Sequence, residues 1–120
     1  MGAYISKLLF QPPKWHGPFI HDCISYSTVI NRLGNKLSVA HLNLHHEVTV
    51  LYSHGNAEDL SLVCPWLLSE FCHRMRVNAI AYDYSGFGQS TGVPTEDAIF
   101  ADAETVYRFV REHLGIRPQT

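Results

Sequence analysis

Ser90 is the residue whose neighbours most invite a chemical reading. It lies in Gly88-Gln89-Ser90-Thr91-Gly92, a literal G-x-S-x-G, a pattern in which small flanking residues let a strained strand-to-helix turn lift a serine hydroxyl into the open as a nucleophile. That geometry needs a strand running into the serine and a helix starting from it. Here the apolar strand pattern ends near Tyr84 and Pro94 follows the motif almost at once. Ser90 is therefore rejected as nucleophile, and the glycines are read as turn residues. Gly86 and Gly88 also begin a G-x-G, but the third glycine of a dinucleotide fingerprint would fall on Thr91, and no helix starts in the run. His41, His45, His46 and Glu47 are metal-ligand types without ligand spacing, and they read as a solvated turn. No metal and no cofactor is expected. Ser53-His54-Gly55-Asn56 is different in kind. A strand ending in His-Gly, then a polar residue opening a helix, aims backbone N–H groups at the sheet's carboxyl edge, where they can stabilise an oxyanion. On these four residues alone, a plain strand-to-helix turn accounts for the glycine equally well.

The elements that must hold these residues follow from periodicity. Residues 11–22 are rich in Pro, Gly and His and read as an irregular lead-in; residues 1–24 are taken together as that lead-in and 25–120 as a partial domain. Strands are predicted over 25–31 and 36–42, joined across a Gly-Asn turn as an antiparallel hairpin, and a third over 47–53. Leu60, Val63, Cys64, Leu67, Leu68 and Phe71 recur at three- and four-residue steps, which predicts a helix with one apolar face. Pro65 inside it predicts a kink, or a short turn and a helix starting near Pro65. Residues 77–84 form a nearly continuous apolar run, expected to be a strand buried on both faces. A last helix should start near Thr95, bury Ile99, Ala103, Val106, Val110 and Leu114, and end at Gly115. The order β-β-β-α-β-α predicts an α/β architecture with a parallel pair across the strand–helix–strand unit.

Composition narrows the function. Nine Lys+Arg against eleven Asp+Glu give a formal charge of −2, without the positive field that nucleic-acid binding requires. Eight histidines make that charge sensitive to mildly acidic pH. Apolar residues at 46% and charged residues at 17% describe a folded chain, of one domain at most. Three cysteines, Cys23, Cys64 and Cys72, cannot all pair and have no C-x-x-C spacing, so a reducing, intracellular setting is expected. No apolar run reaches the ~20 residues that span a bilayer. The opening Met1-Gly2-Ala3-Tyr4-Ile5-Ser6-Lys7 fits the pattern for N-myristoylation of Gly2. The expected location is then the cytoplasmic face of a membrane, otherwise the cytoplasm. One myristoyl chain gives only reversible contact, with a binding constant on the order of 10⁴ M⁻¹.

Taken together, the segments carry a resemblance that no single motif does. Leu51-Tyr52-Ser53-His54-Gly55-Asn56-Ala57-Glu58-Asp59-Leu60, followed by Ala81-Tyr82-Asp83-Tyr84-Ser85-Gly86-Phe87-Gly88-Gln89-Ser90, closely resembles the α/β-hydrolase superfamily. Within it the chain is similar to the depalmitoylase branch, the α/β-hydrolase domain-containing family 17 and relatives. Leu8-Leu9-Phe10-Gln11-Pro12-Pro13 is similar to the lead-in of those enzymes. The resemblance implies the N-terminal part of that fold, lacking the fifth strand onward. It implies that Asn56 gives its backbone N–H to an oxyanion hole, with His54, Gly55 and Asp59 in the same signature loop. It implies that Asp83, Gly86, Gly88 and Ser90 form a structural loop after the fourth strand. The reaction implied is ester or thioester hydrolysis by a Ser-Asp-His triad, with acylated, palmitoyl-cysteine proteins as substrates. In this fold the nucleophile follows the fifth strand, so no catalytic residue is expected within these 120 residues and no complete machinery. The third strand would be left with an open edge. The branch carries an N-terminal cysteine cluster; here no Cys precedes Cys23, and the Gly2 pattern stands in that place. The alternatives are a non-catalytic, myristoylated protein that binds a membrane or a partner, and a serine peptidase or carboxylesterase of the same fold.

Overall fold

Two stretches of alternating side chains, joined across a turn at 31–35, make the first hairpin. β1 (Ile24–Ile30) and β2 (Lys36–Leu42) run antiparallel, from Ile24 opposite Leu42 to Ile30 opposite Lys36. The computed structural model describes residues 10–117; the Gly2 acylation pattern and Leu8-Leu9 lie outside them. The turn is tied by Asn31, whose Oδ1 accepts the N–H groups of Leu33 and Asn35, each at 2.9 Å, while Gly34 takes a φ of 82° that only glycine adopts freely.

The remaining strands complete a four-stranded mixed sheet in the order β1-β2-β4-β3. β3 (Thr49–Ser53) lies at its edge, parallel to β4 (Asn78–Tyr82), which sits antiparallel to β2. All five residues of β4 are buried, as expected for a central strand covered on both faces. One face carries Ala40, Leu42, Ala79 and Ala81 against Leu60, Val63, Cys64, Leu67, Leu68 and Cys72 of the first helical region. The other carries Leu37, Val39, Ile80 and Tyr82 against Val106 and Val110 of the last helix. The period-two alternation of β2 thus feeds two cores, one per face. The strands of the sequence reading are present, with β3 and β4 shorter than drawn.

Pro65 neither breaks the first helix nor starts it. The helix α1 (Leu60–Trp66) runs through the proline, widens into a π-helical segment at Leu67–Cys72 and closes in a short turn, α2 (His73–Met75). Pro65 stands within the first two turns, so the carbonyl it deprives of a donor is that of Ser61, near the helix start. One turn on, Ser69 Oγ donates to Pro65 O at 2.9 Å. The helix ends at Arg76 in the left-handed region, φ 55°.

The last helix, α3 (Glu96–Glu112), starts as expected: Thr95 caps it, its Oγ1 accepting Ala98 N–H at 3.1 Å. Gly115, φ 68°, follows its end, with Leu114 N–H on Phe109 O and Ile116 N–H on Val110 O. Its buried face needs correction. Ala98, Ala101, Asp102, Val106 and Val110 are buried, whereas Ala103 is exposed and Ile99 only half-buried. The apolar stripe passes over Asp102, which lies between Ala98 and Val106 on the face that packs down.

Candidate functional site: the loops at the carboxyl ends of β3 and β4

Because β3 and β4 are parallel, their carboxyl ends leave the sheet on the same edge, the place where open α/β sheets bind ligands. Two loops leave there. The first, residues 54–59, runs from β3 to α1. The second, residues 83–95, runs from β4 to α3.

His54 joins them. Its ring is buried, with Nε2 at 3.0 Å from Asp83 Oδ1 and Nδ1 at 2.9 Å from the carbonyl oxygen of its neighbour Gly55. Tyr84 packs edge-on to the ring at 4.5 Å between centroids and donates its hydroxyl to His54 O at 2.6 Å. Asp83 Oδ1 also accepts Leu60 N–H at 2.9 Å, so one carboxylate oxygen serves the histidine and one of the first, intrinsically unpaired N–H groups of α1. Burial pushes the Asp83 carboxyl up from its ordinary range, opposed by the hydrogen bond and charge of His54. Asp59 caps α1 from a fully buried position, accepting Leu62 N–H at 3.2 Å and the Ser61 hydroxyl.

Between His54 and Asp59 the chain makes a tight turn, with Glu58 N–H on Gly55 O at 3.3 Å and Ala57 at a φ of 67°, an uncommon conformation for a residue with a side chain. Gly55 N–H donates to Glu58 Oε1 at 2.7 Å. Asn56 is exposed, and its Oδ1 accepts Gln11 N–H at 2.7 Å and Ala57 N–H at 3.1 Å, tying the lead-in to the turn. The structure therefore puts Asn56 at the sheet's carboxyl edge, on a turn whose preceding carbonyl is held by a buried ring.

The second loop brings together the other signature residues. Ser90 Oγ donates to Asp83 O at 2.8 Å and accepts Ser38 N–H at 3.0 Å. With both functions engaged and the residue buried, it braces the loop against β2. Among the described residues the one buried histidine, His54, faces Asp83. Gly88, φ 53°, lies against Asp83: a Cβ there would overlap Asp83 Oδ2. Gly86, φ 82°, leaves its would-be Cβ overlapping the Pro94 ring. His41 lies on β2, its imidazole shifted toward the neutral form by burial, and His45 and His46 lie in the β2–β3 connection.

Sequence reasoning missed the network that fastens this loop to the rest of the fold. Asp102 is fully buried on α3. Its Oδ2 accepts Ser85 N–H at 2.6 Å, and its Oδ1 accepts the Ser85 hydroxyl at 2.8 Å and Asn31 Nδ2 at 2.7 Å. The signal was available: an acid four residues from both Ala98 and Val106 on a helix face. A cavity of about 290 Å³ lined by Trp15, Tyr26, Ser38, Ser61, Asp83 and Gln89 lies beneath the lead-in, apart from the Asn56 turn.

A mixed sheet in this strand order, with helices on both faces and its two linked loops at the carboxyl edge, is the N-terminal part of an α/β-hydrolase fold. Solved structures share it: an esterase of Pyrococcus furiosus (TM-score 0.62, 22% identity, 87% of this chain and 43% of that one) and an α/β hydrolase of Vibrio vulnificus (TM-score 0.65, 20% identity, 81% and 33%). In sequence the chain is similar to the α/β hydrolase domain-containing proteins 17. It is 41% identical over 71 residues to protein 17C of Xenopus tropicalis, covering 59% of this chain and 23% of that one, and 42% identical over 71 residues to protein 17B of Homo sapiens (59% and 24%). The aligned segment thus spans about a quarter of those relatives' length. No protein-family profile matches the chain.

Proposed function

We propose that this chain supplies the oxyanion-hole portion of a serine hydrolase acting on the thioesters of palmitoylated proteins, in reversible contact with the cytoplasmic face of a membrane through an acylated Gly2. The observation that carries the reading is the Asn56 turn at the carboxyl edge of parallel β3 and β4, together with the identity to the domain-containing proteins 17. In this assignment Asn56 gives a backbone N–H to the tetrahedral intermediate, and a nucleophilic serine, its acid and its histidine come from sequence beyond these residues. Ser90 takes no part in bond making. Esters of simple alcohols are the second substrate class, favoured by the fold shared with the Pyrococcus esterase. A non-catalytic binding role is the reading from a different class, favoured by the single-sided pairing of β3 among the described residues.

A chimera tests this. The 71 aligned residues replace their counterparts in the human protein 17B, and labelling by a fluorophosphonate and hydrolysis of a palmitoyl-thioester are measured. Activity is expected, and Asn56→Ala, which keeps the backbone N–H, should retain it. Asn56→Pro, which removes that N–H, should lower kcat by about 10²–10³. A folded chimera that the probe leaves unlabelled would overturn the hydrolase assignment. One that is labelled but cleaves only oxygen esters would overturn the substrate class.

A further inference from the structure

The buried ring of His54 faces two acceptors. Gly55 O lies 2.9 Å from Nδ1 and Asp83 Oδ1 lies 3.0 Å from Nε2. A carbonyl oxygen has no hydrogen to give, so the first contact is a hydrogen bond only when Nδ1 carries one. The second needs a hydrogen between Nε2 and Oδ1, on whichever atom it rests. Two hydrogen bonds therefore require two hydrogens in the pair. A neutral imidazole beside an ionised carboxylate has only one, and would leave two lone pairs facing each other in a site where the side chains are 0% and 1% exposed. Such an unmade contact is costly when buried.

We infer that His54 and Asp83 hold two hydrogens between them at neutral pH, and that this doubly hydrogen-bonded pair makes His54 a positioning residue that fixes the Gly55 carbonyl and, through it, the turn presenting Asn56. The inference rests on the reading of that turn as the oxyanion donor. The surroundings agree with an electrically neutral pair. Asp83 Oδ2 is buried without a hydrogen-bond partner and faces Gly88, a position where a full carboxylate charge is poorly solvated. The groups around the pair are Asp59 at the start of α1, Cys64 on α1, Tyr26 on β1, Tyr84 on the second loop and Glu58, which takes the Gly55 N–H. Burial raises Tyr26 and pushes the Cys64 thiol and the Tyr84 phenol each up to about 12, so these three stay uncharged near neutrality. The neighbouring Asp59 raises Asp83 further. Phe87 closes the far side of the ring at 5.6 Å.

The linkage has a definite sign. In the unfolded chain Asp is ionised above about 4 and His is neutral above about 6.5. Above that range folding takes up a proton at this pair, so the pair stabilises the fold on the acid side and loses that contribution as pH rises.

Imidazole nitrogen NMR on the 120-residue chain at pH 7 tests this without any assay of activity. Hydrogens bonded to both ring nitrogens, or to Nδ1 with the second hydrogen on Asp83, are the expected result. A bare Nδ1 overturns the proposal. Asp83→Asn separates positioning from simple support. An amide oxygen can keep Leu60 N–H and accept Nε2–H, but it leaves Nδ1 without a hydrogen at neutral pH. In that variant the backbone amides of Gly55, Asn56 and Ala57 should shift away from their native positions at pH 7 and return on acidification, in step with the ring. Amides that stay native and show no such pH dependence overturn the positioning role. In the chimera, the same substitution should lower kcat by up to about 10²-fold with KM unchanged, the loss shrinking toward acid pH. An inactive parent chimera would instead count against the hydrolase assignment, leaving the NMR result to decide this one.

Discussion

At the level of single residues, two glycines, Gly34 of the hairpin turn and Gly88 of the second loop, separate two demands that sequence alone shows as one. Gly34 and Gly88 both have positive φ, but Gly34 has open space where a side chain would go, whereas a Cβ at Gly88 would overlap Asp83 Oδ2. Gly34→Ala should therefore cost only the backbone strain, about 1–2 kcal/mol. Gly88→Ala adds displacement of a buried carboxyl paired with His54, and the total should reach about 3–4 kcal/mol. Urea midpoints of the two variants, with unchanged slopes, would show the difference; equal losses would mean that the Asp83 contact carries no weight. Ser90 is the opposite lesson. Its flanking pattern advertises a nucleophile, and its hydroxyl is spent between Asp83 O and Ser38 N–H.

Among elements, the decisive joint is the one between the hairpin turn, the second loop and α3. Asn31, Ser85 and Asp102 come from three separate elements and are all buried. Removing the carboxylate leaves a backbone N–H, a hydroxyl and an amide without their acceptor. Asp102→Ala is expected to cost about 3 kcal/mol or more, and Ser85→Ala, which keeps the Ser85 N–H bond but removes the hydroxyl that also accepts Asn35 Nδ2 at 3.0 Å, about 1–2 kcal/mol. Hydrogen exchange at Ser85 should accelerate in the first variant and stay slow in the second. Pro65 shows how an element absorbs a conflict. The helix continues past it because the lost donor falls near the helix start, and a π-helical turn follows directly.

For the whole molecule, the edge of the sheet is the feature expected to drive association of this chain in solution. β3 is paired on one side only among the described residues, and Val48, just before it, is 44% exposed. An open edge of this kind templates pairing with another chain. Val48→Lys should suppress concentration-dependent association, read by light scattering, while shifting the urea midpoint by less than about 0.5 kcal/mol in equivalent stability. Persistence of association in that variant would direct attention away from the edge. The exposed faces of Trp66 and Phe100 would then be the next surfaces to charge.

Local pattern determined the elements. Strand alternation, the helix start near Thr95 and the Gly115 stop depend on residues a few positions apart, and each element is present where periodicity put it, to within a few residues at the ends, although the buried face of the last helix is not the one its apolar spacing picked out. The paired signature segments likewise carried the fold class, because the loops at the ends of parallel strands have strict backbone requirements. What the sequence could not show was which polar side chains meet. His54 and Asp83, or Asn31 and Asp102, are far apart in the chain, and nothing in either segment states its partner. Strand order and helix docking bring them within 3.0 Å, and exclusion of water then turns ordinary polar residues into groups that must be matched hydrogen for hydrogen. The same enclosure decided the fate of Ser90 and the inward turn of Asp102: an acid on a helix surface is harmless, and only the packing of α3 onto the sheet made it a fastening point.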